Sequence, residues 1–168
     1  MTIDEFNHLD KEKKRELLRQ CCGSSAWIEK MLAMPAAEDM IDLFEDAEEA
    51  WYACSEDDWK QAFAHHPKIG DIDSLRQKFA STANWAEDEQ AAVKQASEQT
   101  LQALAEGNKK YEEKFGYIFI VSASGKSAEE MLGILTARLT NDPEEEIKIA
   151  VDEQNKITRL RLEKLFIA

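Results

Sequence analysis

The chain has 168 residues, of which 43% are hydrophobic, so it is long enough and apolar enough for a folded core and is not intrinsically disordered. Its formal net charge of −13 at pH 7 argues against a nucleic acid as partner, because contacts with phosphates require a basic face. We expect a single domain spanning residues 1–168.

Cysteine content and hydropathy indicate the cellular compartment. Cys21, Cys22 and Cys54 are odd in number and two are adjacent, which fits neither a disulfide framework nor a zinc-site spacing. No apolar run approaches the length of a membrane span, and the first residues lack the basic and apolar regions of a signal peptide. We therefore expect a cytoplasmic protein without membrane contact.

The first third of the chain has the start and stop signals of four helices. Candidate N-terminal caps precede three of them: Asp10, Ser24 or Ser25, and Ser55. Gly23 and Pro35 are candidate stops for the first two, and a third apolar pattern extends from residue 40 to Cys54. Ser55 with Asp58 resembles a capping box, which would open a short helix ending at the His66-Pro67 dipeptide.

The middle of the chain predicts a short irregular or helical link over residues 72–79, followed by a long helix. Asn84 can cap this helix, which we expect to run from Trp85 to about Glu106 and to stop at Gly107. Residues 108–115 would add a further turn or two.

Residues 117–123 (YIFIVSA) interrupt the helical pattern. Their β-branched and aromatic composition favours a buried strand by periodicity alone, but no other segment resembles a partner strand. We expect a buried extended segment, then a helix capped by Ser127 and a last, longest helix opened by Asp142-Pro143, with Leu160 on its core-facing side. The predicted fold is an all-α single-domain bundle of about eight helices.

His66 is the first candidate for chemistry. Proline disfavours helical geometry in the residue before it, so the ring is held at a rigid helix exit, where an imidazole can exchange protons near neutral pH. A solvent-facing ring without any role is the alternative interpretation.

Glu89-Gln90 is the second candidate. A carboxylate near an imidazole can orient it and share general acid and base roles, although an acid in the first turns of a helix is often only favourable to the helix dipole.

Other types of site are less well supported. The segment 124–127 (SGKS) lacks the glycine spacing and sheet context of a nucleotide phosphate loop. No second histidine lies one helical turn from His65 or His66, so no metal site is predicted. The backbone of the extended segment must find hydrogen-bond partners, and a ligand with amide-like edges is one that would serve.

Six segments in order resemble the OHCU decarboxylase family, whose substrate is 2-oxo-4-hydroxy-4-carboxy-5-ureidoimidazoline. They are 65–70 (HHPKIG), 89–93 (EQAAV), 111–120 (YEEKFGYIFI), 124–132 (SGKSAEEML), 138–142 (RLTND) and 156–162 (KITRLRL). The resemblance covers nearly the whole chain. It implies an all-helical homodimer that needs no cofactor and converts this small molecule to (S)-allantoin, the last step of urate degradation.

The resemblance also implies roles for individual residues. His66 would be the catalytic acid, Glu89 would assist it, and Arg161 would contact substrate. The other implied substrate contacts are Pro67, Gln90 and the backbone of Phe119, Ile120, Val121, Ser122 and Ala123. Ala86 stands where the family has a serine, so this position is left out of the predicted site.

Two rival hypotheses remain at this point. One is a non-catalytic helical interaction module whose acidic surface serves a basic partner. The other is a related enzyme acting on a different cyclic ureide. Stabilisation by allantoin or a hydantoin would separate a ligand-binding enzyme from the interaction module, because a ligand that binds only the folded state raises the melting temperature.

Overall fold

The computed structural model describes residues 1–66, Asp73, Leu75 and 87–166, and for residues 87–97 it describes only the helical backbone. These residues form eight helices and no strand. The helices are α1 (Ile3–Asn7), α2 (Lys11–Cys21), α3 (Ser25–Ala33), α4 (Met40–Tyr52), α5 (Glu56–His65), α6 (Glu87–Phe115), α7 (Ala128–Arg138) and α8 (Pro143–Phe166). The expected all-α fold is confirmed. The predicted link over residues 72–79 falls largely outside the described residues.

Contacts between residues divide the chain into two compact units. The first comprises Met1–His66, Ile120–Ser122 and Lys148–Ala168, and the second comprises Pro67–Phe119 and Ala123–Ile147. That residues 1–168 act as one domain remains a prediction.

Tryptophan side chains join helices within the first unit. The fully buried Trp27 of α3 donates its indole N–H to the carbonyl of Ala47 in α4, at 3.0 Å. Trp51 of α4 donates in the same way to the carbonyl of Val151 in α8, at 2.9 Å. Because a buried N–H without an acceptor is costly, these bonds select one packing of the three helices as well as burying large apolar surfaces.

An aromatic cluster holds part of the extended segment in the second unit. The ring centroid of Tyr111 in α6 lies 4.6 Å from that of Phe115, 5.9 Å from that of Tyr117 and 5.3 Å from that of Phe119. Such tilted and edge-on contacts favour one relative orientation of the rings, in addition to burying apolar surface. The expected extended segment is therefore anchored at its start by side chains, and it forms no strand.

The predicted helix starts are confirmed where a cap is formed. The side chains of Asp10, Ser24, Ser55 and Ser127 each accept a hydrogen bond from a backbone N–H in the first turn of the following helix. Sequence reasoning missed α1, although Thr2 and Glu5 form a complete capping box there.

The predicted helix stop at Gly107 is wrong, because α6 continues without interruption to Phe115. A Cβ at Gly107 would lie 2.7 Å from Cδ2 of Leu135 in α7, which is closer than packed carbon atoms approach. Gly107 therefore allows α6 and α7 to lie close together, and its cost to the helix is offset by that packing.

The core face of α8 also differs from the prediction. Leu160 was expected to face the core but is 36% exposed. The predicted core positions Ala150 and Val151 are buried, and the other buried positions of α8 are Glu146, Gln154, Thr158 and Leu162. Three buried positions of the last helix are thus polar.

None of the eight described helices combines the length and the apolar composition that a membrane span requires.

Candidate active site

His66 ends α5 in the geometry predicted for a residue before proline. It is the C-terminal cap of α5 with φ −67° and ψ 144°, an extended conformation, and its N–H bonds to the carbonyl of Phe63 at 3.3 Å. The end of α5 therefore fixes the backbone from which the His66 side chain projects. Pro67 lies outside the described residues.

The turn between α2 and α3 packs tightly against the end of α5. A Cβ at Gly23 would lie 2.3 Å from Cγ of His65, so only glycine fits there without moving the histidine ring. Gly23 was predicted as a helix stop, and the structure shows that it also makes room for the residue next to His66.

The polar face of α8 meets the ring of His66. Gln154, Thr158 and Arg161 lie at i, i+4 and i+7, which places them on one side of the helix. His66 Nε2 forms a short hydrogen bond with Oε1 of Gln154, and Nη2 of Arg161 lies 3.4 Å from Nδ1 of His66. The structure thus brings together His66 and Arg161, which are 95 residues apart in the chain.

These partners select one tautomer of the imidazole. The Gln154 amide donates through Nε2 to Oγ1 of Thr158 at 3.0 Å, so its oxygen is the atom that faces His66. An amide oxygen only accepts, and a guanidinium only donates. His66 therefore carries its proton on Nε2, and the lone pair of Nδ1 faces Arg161.

The surroundings favour the neutral form of His66. Burial lowers the pKa of His66 from its ordinary value of 6.5. The hydrogen bond to Gln154 opposes this effect, while the positive charge of Arg161 and the neighbouring His65 lower the pKa further. Without substrate, the ring is therefore a neutral imidazole near pH 7.

The extended segment meets the same helix within the first unit. The N–H of Ser122 donates to Oε1 of Glu153 at 3.3 Å, and Glu153 precedes the glutamine that holds His66. Ile120 is 2% exposed, while Val121 and Ser122 are half-buried. Of these predicted contact residues, Ser122 is thus attached to the helix that carries Arg161.

The remaining predicted contacts belong to the second unit. Phe119 and Ala123 are half-buried there, and the guanidinium of Arg138 lies 4.7 Å from the centre of the Phe119 ring. Glu89 and Gln90 lie near the start of α6. Their side chains, like the position of Ala86, fall outside the described residues.

Sequence reasoning missed Gln154 and Thr158. Their signal is visible in retrospect, because Gln154 and Thr158 stand one helical turn apart and in register with the apolar, buried Ala150 and Leu162. A buried polar side chain normally has a hydrogen-bond partner, so such positions identify groups that the fold must satisfy.

The cysteines next to this site are protected thiols. Burial raises the pKa of both Cys21 and Cys22 to about 12, which leaves little thiolate for nucleophilic attack. The carbonyl of Cys21 accepts a hydrogen bond from Nη1 of Arg161 at 3.4 Å. In the part of the chain that the structure describes, no cluster of three or more His, Cys, Asp or Glu side chains could hold a metal ion.

Comparison with known proteins gives consistent results. The model of the OHCU decarboxylase family matches residues 7–163. A crystal structure of OHCU decarboxylase in the presence of (S)-allantoin has a TM-score of 0.71 and 35% identity, covering 94% of this chain and 99% of that chain.

Curated relatives include longer proteins. A uric acid degradation bifunctional protein of Arabidopsis thaliana is 38% identical over 87% of this chain and 45% of its own length. A bifunctional protein of the same description from Bacillus subtilis is 25% identical, and the match covers 32% of its length. A 2-oxo-4-hydroxy-4-carboxy-5-ureidoimidazoline decarboxylase of Haloferax volcanii is 23% identical, over 99% of this chain and 96% of its own length. The chain therefore spans less than half of the bifunctional relatives.

Proposed function

This chain belongs to the OHCU decarboxylase family, and on that premise we propose that it decarboxylates 2-oxo-4-hydroxy-4-carboxy-5-ureidoimidazoline to (S)-allantoin. The reaction would need no cofactor and would be the last step of urate degradation. The pairing of His66 with Arg161 in a partly buried position is the observation that carries the proposal, because it joins a proton carrier to a carboxylate-binding group.

Arg161 would bind the carboxylate of the substrate. A guanidinium is the side chain best suited to a carboxylate, and a protein of net charge −13 needs such a local positive group to attract an anion. When the bond to the carboxylate carbon breaks, carbon dioxide leaves and the electron pair stays on the ring carbon, where the neighbouring unsaturation of the imidazoline delocalises it. One proton must then be added to that carbon from a single face.

His66 would supply this proton. The ring is neutral before substrate binds, and the charge of Arg161 contributes to that state. A substrate carboxylate placed against Arg161 offsets this positive charge and favours protonation of His66. Binding of the anionic substrate would thus prepare the acid. General acid catalysis of this kind contributes about 10²–10⁴-fold to the rate.

The other contacts follow from the family resemblance. Glu89 would bond the 4-hydroxyl group, and Pro67 and Gln90 would contact the substrate. The backbone of residues 119–123 would bond the ring or the ureido edge, which suits an extended segment that pairs with no strand among the described residues.

The proposal is tested by following the decay of freshly generated ureidoimidazoline with the wild type and with variants. His66→Asn should lower kcat by about 10²–10⁴-fold, the range of a lost general acid, while the far-ultraviolet circular dichroism of the fold persists. Glu89→Gln should cost more than about tenfold if its carboxylate takes part in the same step.

The matched control is His8→Asn, which makes the same change at an exposed side chain at the end of α1 and should leave kcat unchanged. Near-normal turnover of His66→Asn would remove the acid role. No acceleration by the folded wild type would contradict the decarboxylase assignment and favour the acidic interaction module.

We further propose that the protein is a cytoplasmic homodimer acting as one domain over residues 1–168. The family resemblance supports the dimer, the three buried free thiols suit a reducing compartment, and the family match over residues 7–163 supports a single domain. Light scattering tests the mass of the assembly. A single cooperative transition in urea, seen alike by fluorescence and circular dichroism, is expected for one domain.

A further inference from the structure

Gln154 is a buried amide whose hydrogen bonds all lead to the candidate site. Its side chain is 1% exposed and lies between the ring of His66 and the hydroxyl of Thr158. A glutamine in this environment must be satisfied by the protein, since unpaired buried amide atoms are costly. The residue is therefore held in one orientation.

Thr158 is the hydrogen-bond partner of the Gln154 amide on the side away from His66. Thr158 is 3% exposed, and its hydroxyl accepts from Nε2 of Gln154 at 3.0 Å and also bonds the thiol of Cys22. Because Arg161 faces Nδ1 and leaves the ring proton on Nε2, a flipped amide would place its NH₂ group against the Nε2–H of His66, a contact between two donors. The chain of bonds thus runs in one direction from the core to the imidazole.

We propose that Gln154 is the positioning residue that holds His66 in its Nε2–H tautomer, so that Nδ1, beside Arg161, is the nitrogen that exchanges a proton with the substrate. This inference rests on the proposed function. It assigns the reacting atom of the ring and a role to a residue whose side chain hydrogen-bonds His66 and Thr158.

A glutamine suits this role better than a glutamate. The groups that face the ring are Arg161 and Gln154 from α8 and the neighbouring His65 on its own element. A carboxylate at position 154 would stabilise a permanently charged imidazolium and would oppose the arrival of an anionic substrate. The neutral amide fixes the proton on Nε2 but neither stabilises the imidazolium nor repels the substrate.

The alternative is that Gln154 only fills the core. Its replacement would then lower stability while leaving the tautomer of His66 and the pH dependence of the reaction unchanged. A test must therefore measure the tautomer of the His66 ring directly. The chain is well suited to this because it has only three histidines.

The experiment records long-range proton–nitrogen NMR spectra of protein labelled with ¹⁵N-histidine, without substrate. Subtraction of the His66→Asn spectrum assigns the His66 ring. The wild type should show the Nε2–H tautomer, and Gln154→Met, which keeps a similar volume but removes the acceptor, should show a mixture of tautomers. In the decay assay Gln154→Met should lower kcat by about tenfold or more with KM changed less than about threefold, because proton transfer rather than binding is affected.

Gln154→Glu provides a second test that keeps both shape and acceptor. It should retain the Nε2–H tautomer and move the titration midpoint of His66 upward by about one pH unit or more, as expected for a carboxylate beside an imidazole. This variant also covers the case in which Gln154→Met fails to fold.

An Nδ1–H tautomer in the wild type, or an unchanged tautomer and kcat in folded Gln154→Met, would overturn the inference. Failure of the proposed function is distinguishable, because the tautomer is measured without substrate. A protein with the expected tautomer shift but no decarboxylation would contradict the reaction and the assignment of Nδ1 to it.

Discussion

A buried ion pair in the second unit offers a sharp test of the packing described above. Glu146 is fully buried, and its Oε1 receives hydrogen bonds from Nε of Arg138 at 2.6 Å and from the hydroxyl of Tyr111 at 2.7 Å. Nδ2 of Asn141 donates to the other oxygen at 3.0 Å. The guanidinium of Arg138 also packs over the ring of Phe119, one of the predicted substrate contacts.

Arg138→Met removes the positive partner and leaves the carboxylate in the core. Loss of one member of such a pair costs about 3–5 kcal/mol of unfolding free energy, because the remaining charge is buried without compensation. For a domain of this size, this corresponds to a fall in Tm of about 6–20 °C. The double variant Arg138→Met/Glu146→Leu should recover much of the loss, since it removes the stranded carboxylate as well.

Urea unfolding of the wild type, both single variants and the double variant gives the four free energies of the cycle. We expect strong non-additivity between positions 138 and 146 and an unchanged m-value. Additive effects, or a loss below about 1 kcal/mol for Arg138→Met, would refute the claim that this pair is an energetic unit of the core.

Two further predictions concern the surroundings of His66. Gly23→Ala should destabilise the fold by about 1–3 kcal/mol, because the added Cβ would overlap the His65 ring. The matched control is Gly133→Ala, at an exposed helical position where the added Cβ meets no neighbouring group within 4 Å, and it should stabilise the fold by about 0.5–1 kcal/mol. Equal effects of the two substitutions in thermal unfolding would contradict the close packing at Gly23. The pKa of His66 is lower in the folded protein than in the unfolded chain, so as the pH falls the unfolded chain takes up the second ring proton first. The wild type should therefore lose stability relative to His66→Asn as the pH falls below about 6.5, and a difference independent of pH between 5 and 8 would show that the ring is not buried as a neutral group.

Much of the fold could be predicted because its signals are local. A helix cap joins residues three apart, so Asp10, Ser24, Ser55 and Ser127 could be recognised from short patterns, and each was confirmed. The extended segment could also be predicted, since a lone β-like stretch has no partner in an otherwise helical sequence. The family resemblance is confirmed by the match over residues 7–163.

Gly107 shows where local signals fail. A glycine near the end of a helical pattern is typical of a stop, but here the helix continues and the glycine serves a contact with Leu135 in α7. The prediction for Leu160 is wrong for a related reason. Its hydrophobicity suggested a core position, but the packing of α8 exposes Leu160 and buries Gln154 and Thr158. Both errors come from tertiary contacts, which a periodicity does not contain.

The candidate site depended on distant residues in the same way. Nothing local to His66 or Arg161 indicates that they meet, and only the resemblance joined them before the structure did. The tautomer of His66 was beyond the sequence altogether, because it depends on the orientation of a buried amide on another helix.

The most direct test of the central claim is the stereochemistry of the product. The ureidoimidazoline is generated in place from urate by the two preceding enzymes, this protein is added, and the circular dichroism of allantoin is followed. We expect rapid appearance of the (S) enantiomer with the protein, against slow formation of racemic allantoin without it. Racemic product at the uncatalysed rate in the presence of folded protein would contradict it.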